Sequence, residues 1–362
     1  MDEKSALRVC FLPLEGKLCS NIGYNESLYS STTHLLNSGE KTLYISEYEE
    51  GDRVAKCDCN IGSWCQKSCI KRGKKTQYLS ELAKKAYLCS LQTIEKMSKI
   101  IIITGASSGF GKTIAELLSS HGNKVYGICR REMSHPQIVY KQGDVRDAEG
   151  IEKIVSDIVA KEGRIDVLIN NAGMGLGGAL ELTSWDEIKI QMETNFYGCV
   201  NMCQKVLPHM RRQRAGRIIN FSSIAGIEGI PYQGFYSCSK FAIEGFSEAL
   251  SAEVKRFGIK VSLVEPGDFA TGFTAMRINS EATLNDPDYG PVFRRVQAKF
   301  ESEENNGLKP EYLAKKVEKI INSKHPALRY CIANLEQKLS VVLKRLIPGN
   351  WNVDILRSYY KS

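Results

Sequence analysis

The 362-residue chain has no run approaching the roughly 18 apolar residues needed to cross a membrane. Its start, Met1-Asp2-Glu3-Lys4, lacks the basic and apolar regions of a secretion signal. A cytoplasmic protein is therefore expected. Charge of one sign is not concentrated anywhere. Lys and Arg number 14 against 12 Asp and Glu over the first 96 residues, and 35 against 29 over the rest, so the formal charge of +8 builds no basic module for nucleic acid. Metal-ligand spacing is missing too. Seven of the twelve cysteines fall in the first 96 residues, four as Cys57-x-Cys59, Cys65 and Cys69, which does not reproduce the C-x-x-C pairs of structural zinc. No metal is expected, and in the cytoplasm no disulfide framework. With 43% hydrophobic and 25% charged residues, the chain can still fill a large core.

What is present concentrates beyond Met97. Lys99 to Thr104 contains the β-branched run Ile100 to Ile103 and reads as a buried parallel strand. The turn Thr104-Gly105-Ala106-Ser107-Ser108-Gly109-Phe110-Gly111 follows at once and opens a segment of helical period with Ile114, Leu117 and Leu118. Strand, glycine turn and helix form the first half of a nucleotide-binding βαβ unit. Glycines let the backbone approach a pyrophosphate, and the free N–H groups of the new helix stabilise the anion. Further on, a strand from Arg217 to Phe221 ends in Ser222-Ser223, and Tyr236 and Lys240 open a long helical segment, Phe235 to Phe257. A second Tyr-x-x-x-Lys pair, Tyr312 with Lys316, lies in a charged C-terminal helix and reads as a solvated face.

Taken in order, the glycine turn, Gly143-Asp144-Val145, Asn170-Asn171-Ala172-Gly173, Asn195, Ser223, Tyr236 with Lys240, and Pro266-Gly267 resemble the short-chain dehydrogenase/reductase family over nearly all of Ser98 to Ser362. The run Val264 to Thr271 and the tail from Leu328 to Pro348 are most similar to its 17β-hydroxysteroid and retinol dehydrogenase-like branch. The resemblance implies a Rossmann-like, doubly wound α/β fold in three layers, preceded by a poorly defined N-terminal extension.

The residues support the implied chemistry. Hydride addition to a carbonyl leaves charge on oxygen, so the site needs one donor to polarise that oxygen and one acid to deliver a proton. Ser223 suits the first role and Tyr236 the second. Free tyrosine titrates near 10, and Lys240, at i+4 on the same helix face, is placed to bring it down. The family pattern further implies that Lys240 holds the nicotinamide ribose and that Asn195 connects a proton-relay water. A helix-interior amide bonded to backbone is the alternative for Asn195. The pattern also assigns cofactor contacts to Gly105, Ser107, Ser108, Gly109, Phe110, Gly111, Asp144, Val145, Asn171, Ala172, Gly173, Tyr236, Lys240, Pro266, Gly267 and Thr271.

The second strand, Asn123 to Ile128, ends in Cys129-Arg130-Arg131 rather than in an acid. An acid there would take the adenosine ribose and select NAD, whereas Arg130 and Arg131 match a 2′-phosphate, so NADP(H) is favoured over NAD(H). The expected activity interconverts a ketone or aldehyde and an alcohol on a lipophilic substrate. A 3-oxoacyl thioester reductase and a non-catalytic NADPH-binding sensor are the alternatives.

Residues 1 to 96 are surplus to this domain. They read as largely irregular, with an amphipathic helix near 76 to 96. The domain, 97 to 362, includes a segment, 268 to 306, expected as a mobile loop with short helices closing over an apolar ligand. Leu335 to Ile347 carries Leu335, Leu339, Val342, Leu343, Leu346 and Ile347 beside Lys338, Lys344 and Arg345. Packing on the domain is expected there, with contact to a membrane surface the alternative. A homo-oligomer stays open.

Overall fold

Ile100 to Ile103 are completely or almost completely buried, and they alternate between two cores. Ile100 and Ile102 meet one cluster of apolar side chains while Ile101 and Ile103 meet another, so this strand is covered on both faces. The rest of the domain follows from that. The computed structural model describes residues 5–11, 33–38, 41–49, 98–273 and 276–361, and the chain divides into Met1–Ala86 and Tyr87–Ser362.

In the first unit, β1 (Ser5–Phe11), β2 (Thr33–Ser38) and β3 (Lys41–Glu49) form an antiparallel sheet in the order β1-β3-β2. Irregular chain is expected here from sequence. The strands rest on short runs such as Leu43-Tyr44-Ile45, which a tally of polar residues over the whole segment hides. The expected helix near 76 to 96 and the four cysteines Cys57, Cys59, Cys65 and Cys69 lie outside the described residues.

The main sheet of the second unit has seven strands: β4 (Ile100–Thr104), β5 (Lys124–Cys129), β6 (Ile138–Gln142), β7 (Val167–Asn170), β9 (Gly216–Phe221), β10 (Ile259–Pro266) and β12 (Arg329–Ile332). All pair in parallel in the order β12-β10-β9-β7-β4-β5-β6. The chain winds outward one way from β4 to β6 and then the other way from β7. The order reverses between β4 and β7, where a crevice opens at the carboxyl ends of the strands.

Helices cover both faces. On one side lie α2 (Ala148–Glu162), α4 (Gly198–Gln213) and α5 (Gly234–Val254), which bury Val155, Met202, Val206 and Leu250 against the sheet. On the other, α1 (Gly109–Ser120) and α8 (Pro310–Asn322) bury Ile114, Leu118, Leu313 and Val317. The layers are thus helix, sheet, helix, the doubly wound α/β architecture that the sequence implies. Between α2 and α4 stand β8 (Leu176–Gly177) and the capped α3 (Trp185–Met192).

The segment 268 to 306 differs from the expected loop. It pairs β11 (Ile278–Asn279) with β8, adds α6 (Glu281–Asn285), and then forms α7 (Tyr289–Asn305), a 17-residue helix. Phe293, Val296 and Phe300, spaced three and four apart, supply its buried stripe. The C-terminal segment Leu335 to Ile347 is bonded to the domain, Gln337 to Asp268 and Ser340 to Glu228, but leaves much of its apolar surface uncovered. In α9 (Leu335–Lys344) only Val341 is buried, and Leu335, Leu339, Val342 and Leu343 remain exposed, as do Leu346 beyond it and Trp351 in α10 (Gly349–Tyr360). No helix among the described residues is long and apolar enough to cross a membrane.

Arg329 on β12 joins the sheet edge to α5, bonding Glu244 at 3.0 Å and Glu248 at 2.7 Å. Glu265 on β10 lies 3.7 Å from the same guanidinium and is 2% exposed. Burial, and then the neighbouring Glu244, push its carboxyl from 4.5 up to about 7, against the pull of Arg329. Between these two values the folded protein holds a proton that the unfolded chain has released. The group therefore costs stability as pH rises through that window, and the cost is full above it. Glu265→Gln is expected to raise the melting temperature more at pH 8 than at pH 5. Equal shifts at both values would show that the carboxyl is not a buried charge.

Candidate active site

The glycine turn begins where β4 ends, and its shape is forced. Gly105 has φ +68°, and a side chain there would come within 2.9 Å of the Ala172 backbone. One turn into α1, a Cβ on Gly111 would lie 2.3 Å from the Gly105 carbonyl oxygen. Gly111 thus lets the helix close on the turn. Thr104 fixes the opposite wall, its hydroxyl accepting from Asn171 N at 3.1 Å and Ala172 N at 3.0 Å. Asn171 returns two bonds, donating to the carbonyls of Thr104 and Gly105.

The start of α1 carries no side-chain cap, and its first turn has no acidic residue. Its N–H groups are left for an anion. At the far end of the same crevice, Arg130 and Arg131 line the cavity, and Arg131 donates to Ser107 Oγ at 3.2 Å. Asp144 is bound through both oxygens by Arg146, which holds its carboxyl below the usual value. An uncapped helix start, a close-packed glycine turn and a basic end fit a dinucleotide carrying a pyrophosphate.

The reacting end is built by β9 and α5. Beyond β9, Ser223 turns into the short helix Ile224–Gly226, its hydroxyl accepting from Ala225 N at 3.1 Å. Tyr236 and Lys240 sit one turn apart on α5. The Ser223 hydroxyl lies near enough to the Tyr236 phenol to lower its pKa, and Lys240 Nζ donates to the Phe221 carbonyl at 2.9 Å, 5.7 Å from the centre of the Tyr236 ring. Burial drives these two groups in opposite senses. It pushes the Tyr236 phenol up to about 12, partly offset by Ser223, and pulls the Lys240 ammonium down to about 8. Sequence spacing predicts a phenol lowered by Lys240. In the structure burial dominates instead, and the groups acting on the phenol beside it are Ser223, Glu304, Arg277 and Asp268.

One cavity of about 710 Å³, within the range of small-molecule sites, runs between these ends. Every residue expected at the site lines it except Gly111 and Asn195. Gly111 acts from behind the turn, as described. Asn195 lies in a π-helical turn, Glu193–Tyr197, that interrupts the path from α3 to α4, and it is almost wholly buried. Its amide is occupied by backbone: Oδ1 accepts from Met174 N at 2.8 Å, and Nδ2 donates to Met174 O and to Ser239 Oγ. The arrangement is that of the backbone-bonded amide named above as its alternative. Ser239 in turn donates to the Tyr236 carbonyl, so Asn195 braces the loop of Met174 against the helix that carries Tyr236.

Sequence reasoning misses several liners. Ile230, Gln233, Glu304, Gln337 and Tyr360 join the cavity from four separate places in the chain. None belongs to a local motif, and only the packing of α7, α9 and α10 brings the last three together. Of the aromatic and Met residues of the segment 268 to 306 expected near an apolar ligand, Phe273, Met276 and Phe300 line it, whereas Tyr289 and Phe293 do not.

Comparison with known proteins decides the family. The profile described as short chain dehydrogenase matches residues 99–282, half of the chain. The chain belongs to the short-chain dehydrogenase/reductase family. It is 50% identical to a 3-ketodihydrosphingosine reductase of Bacteroides thetaiotaomicron over 263 residues, 72% of this chain and 98% of that protein. It is 34% identical to retinol dehydrogenase 8 of Bos taurus, over 64% of this chain and 80% of that one. Among solved structures, the closed form of a serine dehydrogenase complexed with NADP+ is similar, with a TM-score of 0.57 and 26% identity over 66% of this chain and 95% of that one. This short-chain dehydrogenase is therefore a nucleotide-binding oxidoreductase, and Ser223, Tyr236 and Lys240 line its cavity.

Proposed function

We propose that this enzyme reduces the carbonyl of a long-chain lipid with NADPH, through Ser223, Tyr236 and Lys240. The observation that carries the reading is the meeting of the Ser223 and Tyr236 hydroxyls at the wall of a cavity lined by Phe273, Met276, Phe300 and Ile230. The relative named for 3-ketodihydrosphingosine, a long-chain ketone, supports the substrate class. When bound, the cofactor supplies the hydride. Ser223 donates a hydrogen bond to the carbonyl oxygen, and Tyr236 gives the proton that completes the alcohol. Lys240, held by the Phe221 carbonyl, would hold the ribose hydroxyls and stabilise the phenolate left behind. Asn195 positions rather than reacts. Tyr236→Phe is expected to leave cofactor affinity intact and lower turnover of a long-chain ketone by at least about a hundredfold. A variant that retains near wild-type kcat contradicts this assignment.

The choice of NADPH rests on Arg130 and Arg131 at the end of β5, where no acid stands to take a ribose. Arg130→Ala should weaken NADPH far more than NADH in fluorescence titration. Equal losses would remove the arginine from 2′-phosphate recognition.

Residues 97 to 362 are assigned here as the catalytic domain, since every residue of the site lies within them. A chain beginning at Met97 is expected to match the full chain in melting temperature and specific activity. Aggregation or lost activity would make the first 96 residues an integral part of the enzyme.

A lipid substrate also gives the exposed face of α9 a use. Leu335, Leu339 and Leu346 beside Lys338 and Arg345 suit an anionic bilayer surface, from which a cytoplasmic enzyme could draw its substrate. Binding to phosphatidylglycerol vesicles, lost when Leu335 and Leu339 become glutamate, is the expected result. Equal sedimentation of the two proteins contradicts it.

A further inference from the structure

Three acids line the cavity: Asp144 is held by Arg146, Glu304 is paired with Arg277, and Asp268 has no salt bridge among the described residues. Asp268 follows Pro266-Gly267 at the end of β10 and lines the same cavity as Tyr236. It lies within electrostatic reach of the phenol, whose pKa it helps to raise. Its placement is fixed from two sides. Gln337 of α9 donates Nε2 to Asp268 Oδ2 at 2.5 Å and accepts from Asp268 N at 3.2 Å, while Leu308 N donates to the Asp268 carbonyl at 3.0 Å. Gly267 leaves room for this clasp, since a Cβ there would lie 2.1 Å from Gln337 Oε1.

Charge balance around Asp268 is incomplete. Glu304 of α7 is paired with Arg277, and Glu303 lies 3.8 Å from Lys299 and accepts from the Tyr359 hydroxyl of α10 at 2.6 Å. Asp268 has only the neutral amide of Gln337, and no salt bridge among the described residues reaches it. Arg277, already paired with Glu304, offsets only part of the cost of a half-buried carboxylate beside two other acids. The cost falls when a cation enters the cavity with the substrate. Because Asp268 lines the same cavity within electrostatic reach of Tyr236, that cation would sit near the carbonyl being reduced.

We propose that Asp268 recognises an ammonium group on the carbon next to the reducible carbonyl, so that the enzyme selects long-chain 2-amino ketones over plain ketones. The inference rests on the carbonyl-reduction reading given above and adds to it the residue that sets specificity. Gln337 serves as the positioning residue, holding one carboxylate oxygen so that the other faces the ligand.

The test compares two substrates of equal chain length, a 2-amino-3-ketone and the same 3-ketone without the amine, with NADPH. The quantity read is the ratio of their kcat/KM values. Asp268→Asn keeps the Gln337 contact and removes the charge, and it should lower the ratio at least about tenfold. An unchanged ratio overturns the inference while leaving the carbonyl-reduction reading intact. Reduction of neither ketone by the wild-type enzyme overturns that reading instead, and the inference with it. A second measurement needs no variant. Burial, with Glu303 and Glu304, pushes the Asp268 carboxyl up to about 6 against Gln337 and Arg277, and Tyr359 and Tyr360 also lie within its reach. Below that value Asp268 is neutral while the substrate amine stays charged. The wild-type ratio should therefore fall as pH drops through about 6, and a ratio flat from pH 5 to 7.5 contradicts the assignment.

Discussion

A buried ammonium governs this structure. Lys240 is 6% exposed, and its Nζ donates to the carbonyl of Phe221, the last residue of β9. An ammonium taken out of water is expensive, and it persists only where hydrogen bonds replace the lost hydration. That bond ties α5 to the strand end from which Ser223 emerges. It therefore sets the distance between the Ser223 hydroxyl and the Tyr236 phenol. In the mechanism proposed above, the stability lost in burying Lys240 is the condition for a charge beside Tyr236.

The sheet explains why this charge can be placed so accurately. Strand order reverses between β4 and β7, and the chain ends of β4, β7, β9 and β10 all open toward one crevice. Each contributes one element of the site: the glycine turn, the Asn171 loop, Ser223, and Pro266 with Gly267. Buried side chains lock these ends together. Asn170 donates to Asn220 at 2.9 Å and Asn220 to Ser247 at 2.8 Å, a polar row beneath the reacting groups in an otherwise apolar layer. The apolar walls come from elsewhere, since α7, α9 and α10 follow the last central strands and close the cavity from outside the sheet. Cofactor machinery and substrate pocket thus lie on different parts of the chain.

That division decides what the sequence reveals. Ile100 to Ile103 is readable because a strand covered on both faces must be continuously apolar, and the observed β4 starts within one residue of the expected position. The helix carrying Tyr236 and Lys240 is readable for a similar reason, its start and its following strand both being marked locally. The glycines are readable because Gly105 needs a positive φ and Gly111 a close approach that other residues cannot supply. By contrast, α7 hides behind its charges, since Phe293, Val296 and Phe300 have a helical period that glycine and acidic neighbours obscure. The bond of Asp268 to Gln337 spans 69 residues, and no local pattern announces it. The exposure of Leu335 and Leu339 depends on what packs beside α9, which periodicity alone cannot report. Asn195 illustrates the same limit: its residue type suggests chemistry, but its π-helical turn gives both faces of its amide to Met174 and Ser239.

The proposed chemistry requires the Tyr236 phenol to change from a group locked in its neutral form to one that can exchange a proton. Tyrosinate absorbance near 295 nm, taken as the difference between the protein and its Tyr236→Phe variant, isolates this one ring among the 16 tyrosines. Without cofactor the midpoint should lie near 12, where burial holds it. With oxidised cofactor bound and Lys240 in place it should move down toward neutrality, and the movement should vanish in Lys240→Met. A midpoint that stays near 12 with the cofactor bound, or that moves equally without Lys240, would contradict the central role given to the buried ammonium.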